Sequence, residues 1–189
     1  MCSSDLLDIQ DEGFLRLLAQ ETGQRLRSLA CNEEHLMQFA QVTAWLNLMG
    51  IPISFLGSTS LDFMPPRSSI PTRLETEVEE VLAIVCEKQK YDRVAEAEIR
   101  SIHHYSDFLL YSKATKKVCV IEVDGPSHYN QDRKPLGATL LRNRLIEASR
   151  YKLVCIPYYE WGALKTSEER LCYVEEKLGD YLMTSEDPC

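Results

Sequence analysis

The sequence predicts an α/β fold in which a mixed sheet is flanked by helices. Residues 118–125, "VCVIEVDG", form an apolar run with the length and character of a central strand covered on both faces. Residues 94–102, "VAEAEIRSI", alternate as a half-buried strand does. Apolar residues recur at helical spacing in 72–88 before these strands and in 166–182 after them. Strands bracketed by amphipathic helices indicate a sheet that buries its faces under helices.

The remaining segments complete the order α-β-β-β-α-β-α. Residues 106–112, "SDFLLYS", predict a second strand, and the polar segment 113–117, "KATKK", predicts the turn that follows it. Residues 137–150 predict a helix, and 151–161, "YKLVCIPYYEW", predict a fourth strand. Together these elements predict one domain over residues 72–189.

The segment before this domain predicts a helix hairpin over residues 1–50. Apolar residues fall near helical spacing in 12–30, and an N-cap asparagine precedes a second helix in 33–50. Two helices bury little surface alone, so the hairpin is expected to be one unit of a helical stack or a cap on the next domain. Residues 51–71, rich in Pro and Ser, predict a linker.

Composition limits the possible classes of function. The 189 residues are 44% hydrophobic and 26% charged, as is ordinary for a soluble globular protein. No apolar run approaches the ~20 residues of a membrane span, so no membrane partner is expected. The net charge of −8 disfavours a general nucleic-acid coat protein. No two cysteines have C-x-x-C spacing, which disfavours a zinc site built from cysteines.

Three carboxylates are expected at one end of the sheet. A hairpin between the second and third strands brings Asp107 near Glu122 and Asp124, which leave the same face of their strand. Such a group suits a hard cation such as Mg²⁺, which can activate water and neutralise charge on a phosphate. The strand breaks next, which leaves His128 and Tyr129 at the same end.

Each of these residues also has an ordinary structural interpretation. Asp124 and the glycine after it form a common turn signal, and an acid at a strand end is usually solvated. A single histidine such as His128 is more often a hydrogen-bonding partner than a catalyst. The residues alone therefore leave metal chemistry and plain structure both open.

A basic stretch follows the acidic strand and favours phosphate as a partner. Arg133 and Lys134 precede the helix over 137–150, and Arg142 and Arg144 lie within it. Arginine is well suited to bidentate phosphate contacts. For any single arginine, a solvated helix face is an equally good explanation. Aromatic residues accompany this stretch, and those that are exposed can stack on unpaired bases: Tyr129, Tyr151, Tyr158, Tyr159 and Trp161.

Several segments together resemble a RAP domain. They are "VIEVDGPSHY", then "GATLLRNRLIEASRYKLVCIPYYEW", then the closing helix with "KLGDYL", and the resemblance extends over about residues 92–182. The RAP family is associated with RNA binding in organellar RNA metabolism, often at the C-terminus of helical-repeat proteins. The resemblance implies RNA and other ribonucleoprotein components as partners, and a mitochondrial location. The hairpin at 1–50 resembles the tail of a helical repeat array.

The RAP family is similar in turn to PD-(D/E)xK nucleases, which have the restriction-endonuclease-like fold. The resemblance places Asp107 at the motif's aspartate and Glu122 at its second acid. Asp124 stands where the motif has a lysine, and an aspartate supplies no cation to position the attacking water. Glu75 or Glu79 on the preceding helix can add a further acid, as in some members of that fold. The resemblance thus supports the fold and RNA association more strongly than RNA cleavage.

Three functions follow from these observations. The first is an RNA-binding module that uses the basic stretch with His128 and Tyr129. The second is a metal-dependent ribonuclease in which Asp107, Glu122 and Asp124 hold Mg²⁺. The third is a metal-free structural subunit of an organellar ribosome, whose acidic surface faces neighbouring proteins.

Overall fold

The computed structural model describes residues 33–48, 50, 70–179 and 181–182, together with positions 13 and 17. Five helices and four strands follow one another along this described part of the chain, in the order α1 Glu33–Leu48, α2 Arg73–Gln89, β1 Tyr91–Ile99, β2 His104–Ser112, β3 Val118–Asp124, α3 Gly137–Ala148, β4 Lys152–Pro157, α4 Tyr158–Trp161 and α5 Ser167–Leu178. Short 3-10 turns lie at Arg100–Ile102 and Pro126–His128.

The four strands form one mixed sheet in the order β1-β2-β3-β4. β2 and β3 are antiparallel, with Phe108 opposite Ile121, as the predicted turn over 113–117 requires. β3 and β4 are parallel, and their last residues, Asp124 and Pro157, are partners. The predicted mixed α/β sheet is therefore confirmed.

The chain divides into two compact units. The larger unit contains α2, most of the sheet, α4 and α5, and it includes residues 105–134 and 150–179. The smaller unit contains α1, residues 98–104 and residues 135–149. Within the smaller unit, α1 packs against α3 and the turn Arg100–Ile102.

The two long helices of the larger unit begin with the same capping arrangement. At the start of α2, the Thr72 hydroxyl accepts from the Glu75 amide at 3.2 Å, and the Glu75 carboxylate accepts from the Thr72 amide at 2.8 Å. Thr166 and Glu169 repeat this reciprocal pairing before α5. Each capping box satisfies amides that would lack a partner in the first helical turn, so the two starts are fixed by local sequence.

One face of the sheet packs against α2 and α5 to form the core of the larger unit. The core residues of β3 are Cys119, Ile121 and Val123, all from alternate positions of the strand. Val120, Glu122 and Asp124 consequently point to the other face, because successive side chains of a strand alternate. The helices and the neighbouring strands contribute the other core residues, among them Val78, Leu82, Val85, Phe108, Leu110, Val154, Ile156, Trp161, Val174 and Leu178.

Paired charges surround the buried indole of Trp161, in a group that we call the Trp161 network. The indole Nε1 donates to Glu77 at 3.2 Å, and Arg170 lies over the indole ring at 5.1 Å while it pairs with Glu77 at 3.1 Å. Tyr173 packs edge-on to Trp161 and donates to Glu160 at 2.7 Å. The network is completed by two further pairs with the same carboxylates, Arg73–Glu77 and Lys177–Glu160.

The predicted helix hairpin and linker at the start of the chain are only partly within the described residues. The second helix of the predicted hairpin is observed as α1, whereas the first lies outside the described residues except at positions 13 and 17. Most of the predicted linker at 51–71 also lies outside them. The hairpin, the domain boundaries and the restriction-endonuclease-like topology stay predictions.

The predicted fourth strand over 151–161 is shorter than expected, because the chain leaves the sheet at Pro157 and forms the single helical turn α4.

Candidate functional site

The candidate site lies at the edge of the sheet where β3 and β4 end together. Because these strands are parallel, the loop that begins at Gly125 and the turn α4 leave the sheet on the same side. In open α/β sheets, the carboxyl ends of strands are the usual place for ligands. Two segments about thirty residues apart in sequence therefore share one potential binding surface.

Three tyrosines from these two segments form a tyrosine cluster, defined here as Tyr129, Tyr158 and Tyr159. Tyr129 packs edge-on to Tyr159 with ring centroids 5.3 Å apart, and it lies 6.1 Å from Tyr158. Tyr158 and Tyr159 are 5.4 Å apart and nearly perpendicular. All three are half-buried, so each residue packs against its neighbours and keeps some accessible surface.

The acid at the end of β3 anchors this cluster. Asp124 is 1% exposed, and its Oδ2 accepts a hydrogen bond from the Tyr129 hydroxyl at 3.1 Å. His128 Nδ1 lies 3.6 Å from Oδ1 of the same carboxylate, and the His128 side chain is 38% exposed. Burial, reinforced by the neighbouring Asp124 charge, raises the pKa of Tyr129 above its usual value of 10. The phenol therefore remains protonated and acts as a hydrogen-bond donor to Asp124.

A basic loop next to the cluster, Asn130–Lys134, is closed by its own hydrogen bonds. The Asn130 amide donates to the Lys134 carbonyl at 2.9 Å, and the Arg133 amide donates back to the Asn130 carbonyl at 3.0 Å. The Asn130 side-chain oxygen also accepts from the Asp132 and Lys134 amides, both at 2.9 Å. These bonds hold Arg133 in the left-handed region, with φ 59°, and its guanidinium lies over the Tyr159 ring at 5.1 Å.

The three predicted metal ligands lie close together in the sheet, and each already interacts with other groups of the protein. Asp107 Oδ2 accepts from the Val123 amide at 2.7 Å, so this oxygen already binds the protein backbone. Glu122 is 2% exposed, and Asp124 is engaged by Tyr129 and His128 as described above. Among the described residues, no group of three or more His, Cys, Asp or Glu is arranged to hold a metal ion. The predicted Mg²⁺ site at Asp107, Glu122 and Asp124 stays a prediction.

A second acidic region lies beside α2. Glu75, Glu79 and Asp107 line a cavity of about 90 Å³ together with Glu96 and Phe108. The helix acids proposed from the nuclease resemblance thus lie near Asp107. Glu79 is also paired with Arg93 at 2.9 Å, and Glu75 belongs to the capping box of α2, so both acids have structural roles.

The two arginines of α3 differ in accessibility from those of the basic loop. Arg142 is 8% exposed and donates to the Asn143 side chain at 2.9 and 3.1 Å. This placement favours a structural role for Arg142, and its predicted phosphate contact stays a prediction. Arg144 is half-buried, whereas Arg133 and Lys134 are exposed.

Sequence reasoning did not assign three residues to the site. Tyr158 and Tyr159 were seen only as aromatics near the basic stretch, and their position beside Tyr129 depends on the parallel pairing of β3 with β4. Asn130 was missed, although an asparagine two residues before Asp132 is typical of side-chain-capped turns.

Comparison with known proteins finds a family that matches the segment of the chain carrying this site. The family model of the RAP domain matches residues 121–177. The chain contains a RAP domain. A RAP domain-containing protein of rice, described as chloroplastic, is 39% identical to this chain over 59 residues, which is 31% of the chain. The matched segment amounts to 9% of the length of that relative.

The RAP domain match includes the tyrosine cluster, the basic loop and both acids of β3. It begins at Ile121, within β3, and ends at Lys177, within α5. Asp107 lies outside it, on β2. Since the RAP family is associated with RNA binding, the resemblance supports an RNA-related role. None of the described helices has both the length and the apolar character that crossing a membrane requires.

Proposed function

We propose that this chain binds RNA through the edge of the sheet that carries the tyrosine cluster and the basic loop. The observation that carries the proposal is the placement of three half-buried tyrosines beside exposed Arg133 and Lys134, inside the RAP domain. Aromatic faces that bind bases, next to cations that bind phosphates, are the usual components of single-strand binding surfaces.

The charges of the basic loop support this proposal in spite of the acidic chain. Within the described part of the chain, neither Arg133 nor Lys134 forms an ion pair with a carboxylate, while other surface cations such as Lys113 and Lys88 do. A cation without an internal acid can neutralise a phosphate without first breaking an ion pair. The net charge of −8 then favours contact at this place rather than over the whole surface.

We further propose that the chain acts in an organelle, as a part of a ribonucleoprotein or in RNA processing. The support is the rice relative, which is described as chloroplastic, and the RAP resemblance itself. A mitochondrial location remains the expectation from that resemblance. A fluorescent fusion of the full-length protein, compared with organelle markers, tests it. Signal confined to the cytosol would contradict the organellar part of the proposal.

RNA binding is tested by fluorescence anisotropy with a labelled single-stranded RNA of mixed sequence. Tyr159→Ala combined with Arg133→Ala should weaken binding at least tenfold, because an aromatic stacking surface and a cationic contact are both lost. Tyr111 and Lys116 provide a matched control, since Lys116 lies over the Tyr111 ring at 5.9 Å and Tyr111 pairs with Val118 at the opposite end of β3. The double alanine variant of this control pair should bind RNA like the wild type.

The same preparation separates binding from the two other functions. RNA is incubated with the protein in Mg²⁺, in Mn²⁺ and in EDTA, and the products are resolved by gel electrophoresis for the wild type, Asp107→Ala and Glu122→Ala. We expect intact RNA in every sample. Cleavage that requires the metal and both acids would establish the ribonuclease instead. If the wild type neither binds nor cleaves RNA, a structural role in an assembly becomes the better explanation.

The arginines of α3 are compared in the same assay. Since Arg142 is buried, Arg142→Ala should change RNA affinity less than Arg133→Ala does. A larger effect of Arg142→Ala without loss of folding would place the phosphate contact on α3.

A further inference from the structure

We infer that Arg133 binds RNA by stacking an unpaired base on its guanidinium plane, and that Asn130 positions it to do so. This inference rests on the proposed RNA-binding function and names its ligand more narrowly, as a single-stranded or bulged nucleotide. Arginine in a basic stretch would ordinarily be assigned to phosphate, which requires only its charge. The geometry of this loop points to the flat guanidinium as the functional group.

The first observation is the position of Arg133 over Tyr159. Its guanidinium carbon lies 5.1 Å from the centroid of the ring, within the range of a cation–π contact. One side of the guanidinium is therefore held by an aromatic ring, and the ring is held in turn by edge-on contacts with Tyr129 and Tyr158. Arg133 is an exposed residue, which leaves room for a ligand beside its side chain. A base placed there would extend an existing stack.

The second observation is the construction of the loop that carries Arg133. Asn130 receives or donates hydrogen bonds at its amide, its carbonyl and its side-chain oxygen, at 2.9 to 3.0 Å, and all of them close the segment Asn130–Lys134. This closure maintains the positive φ of Arg133, a conformation that non-glycine residues adopt at a cost. A phosphate contact made by a long flexible side chain does not need such a fixed backbone. A stacked plane does, because stacking depends on orientation.

The third observation concerns the shape of the RNA that can be bound. The cluster consists of half-buried aromatic rings beside the exposed Arg133, and a base must leave its own stack to lie against a ring or a guanidinium group. Bases inside an A-form duplex are stacked and paired, and a duplex is bound mostly through its backbone and minor groove. The surface therefore selects unpaired nucleotides.

The inference is tested with the full chain, a 12-nucleotide single-stranded RNA of mixed sequence, and the same RNA annealed to its complement. Arg133→Lys keeps the charge and removes the plane, whereas Lys134→Ala removes a charge from the same loop. We expect Arg133→Lys to weaken single-strand binding about five- to tenfold without changing the salt dependence. Lys134→Ala should instead reduce the slope of log affinity against log salt by about 0.7. Binding to the duplex should be weaker and insensitive to Arg133→Lys.

Asn130→Ala tests positioning, because it keeps the arginine at position 133 but removes the Asn130 side-chain oxygen that closes the loop. It should reproduce the loss seen in Arg133→Lys, again with an unchanged salt slope and an unchanged midpoint of thermal unfolding. A residue with a merely structural role would shift that midpoint and would affect duplex and single-strand binding alike.

The outcomes separate the inference from the function on which it rests. If the wild type binds RNA and Arg133→Lys binds equally well while Arg133→Ala lowers the salt slope, Arg133 is a phosphate ligand and the stacking inference is overturned. Equal affinity for duplex and single strand overturns the ligand class. If the wild type shows no binding to either RNA, the proposed function itself fails.

Discussion

The tyrosine cluster and the Trp161 network both include residues of the turn α4 and use the same chemical groups, yet they differ in how their charges are balanced. In the Trp161 network, the cation over the ring, Arg170, is also paired with a carboxylate, Glu77. In the tyrosine cluster, the cation over the ring is Arg133, and it forms no ion pair among the described residues. Trp161 is 2% exposed, whereas the three tyrosines are half-buried.

This difference indicates how a structural aromatic group can be distinguished from a binding one. Where acids inside the protein already neutralise the cations, the group contributes to folding and has little to offer a ligand. Where a cation is held only by a ring, a ligand can supply the missing negative charge. Substitutions in the Trp161 network should therefore affect stability, and substitutions in the tyrosine cluster should affect RNA affinity.

The largest expected effect is on stability, from Trp161→Ala. Removal of a fully buried indole leaves a cavity in the core of the larger unit and should lower the free energy of unfolding by about 3–5 kcal/mol. Denaturant unfolding followed by circular dichroism measures it. Trp161→Phe retains most of the volume and should cost clearly less. A loss below about 1 kcal/mol for Trp161→Ala would contradict the structural assignment of this network.

The next effect is the acid dependence carried by Glu77. Hydrogen bonds from Arg73, then from Trp161, hold the pKa of Glu77 below its usual value of 4.5. Because the folded pKa is the lower one, this carboxylate stabilises the fold fully above pH 4.5 and loses that contribution as the pH falls through the lowered value. Glu77→Gln should cost about 1–3 kcal/mol at pH 7 and flatten the stability profile below pH 4.5. An unchanged acid profile in Glu77→Gln would show that other carboxylates carry the dependence.

A smaller effect on stability, with a larger one on binding, is expected for Tyr159→Ala. Tyr159 is half-buried, so the variant should remain folded, with a loss of less than about 2 kcal/mol. Its RNA affinity should fall about five- to fiftyfold, because both the ring and the support of Arg133 are lost. Tyr159→Phe retains the ring and should bind nearly as well as the wild type. Equal losses in Phe and Ala variants would assign the function to the hydroxyl instead.

The smallest effect concerns the alkaline range. Burial and the nearby Asp124 charge raise the pKa of Tyr129 above 10, so its folded form stays protonated where the unfolded form ionises. The sign is therefore opposite to that of Glu77, and stability contributed by Tyr129 is complete below pH 10 and decreases as the pH rises further. Tyr129→Phe should weaken this decrease. The pKa of Tyr173 is also raised, so Tyr173 should still make stability fall with rising pH in the Tyr129→Phe variant. A complete loss of the alkaline dependence of stability would contradict this.

The sequence predicted those features that depend on local pattern. The order of strands and helices after Pro71 followed from periodicity, because capping boxes and alternation fix these elements within a few residues. The turn α4 was missed, since the aromatic residues after Pro157 favour a strand locally. In the structure, β4 ends at Pro157 and the helical turn that follows places Trp161 in the core.

The candidate site was predicted less completely, because it depends on neighbours in space. His128, Tyr129, Arg133 and Lys134 were identified from their order behind the acidic strand, whereas Tyr158 and Tyr159 required knowledge of the parallel pairing. The burial of Arg142 could have been predicted from the helical spacing of its neighbours in the sequence. It lies three residues after Thr139 and three before Leu145, and all three occupy the buried face of α3. The prediction for Arg142 had considered only its charge and not its place in this periodicity.

The composition of the core has a consequence for work with isolated fragments. The RAP domain match begins at Ile121, but Val78, Leu82 and Phe108 complete the core beneath β3 and precede the match. A peptide cut at the borders of the match would carry every residue of the tyrosine cluster on a half-sheet with one apolar face bare, and such a face tends to aggregate. For this chain, the boundaries of family resemblance and the boundaries of cooperative folding are different, and a soluble fragment must begin before α2.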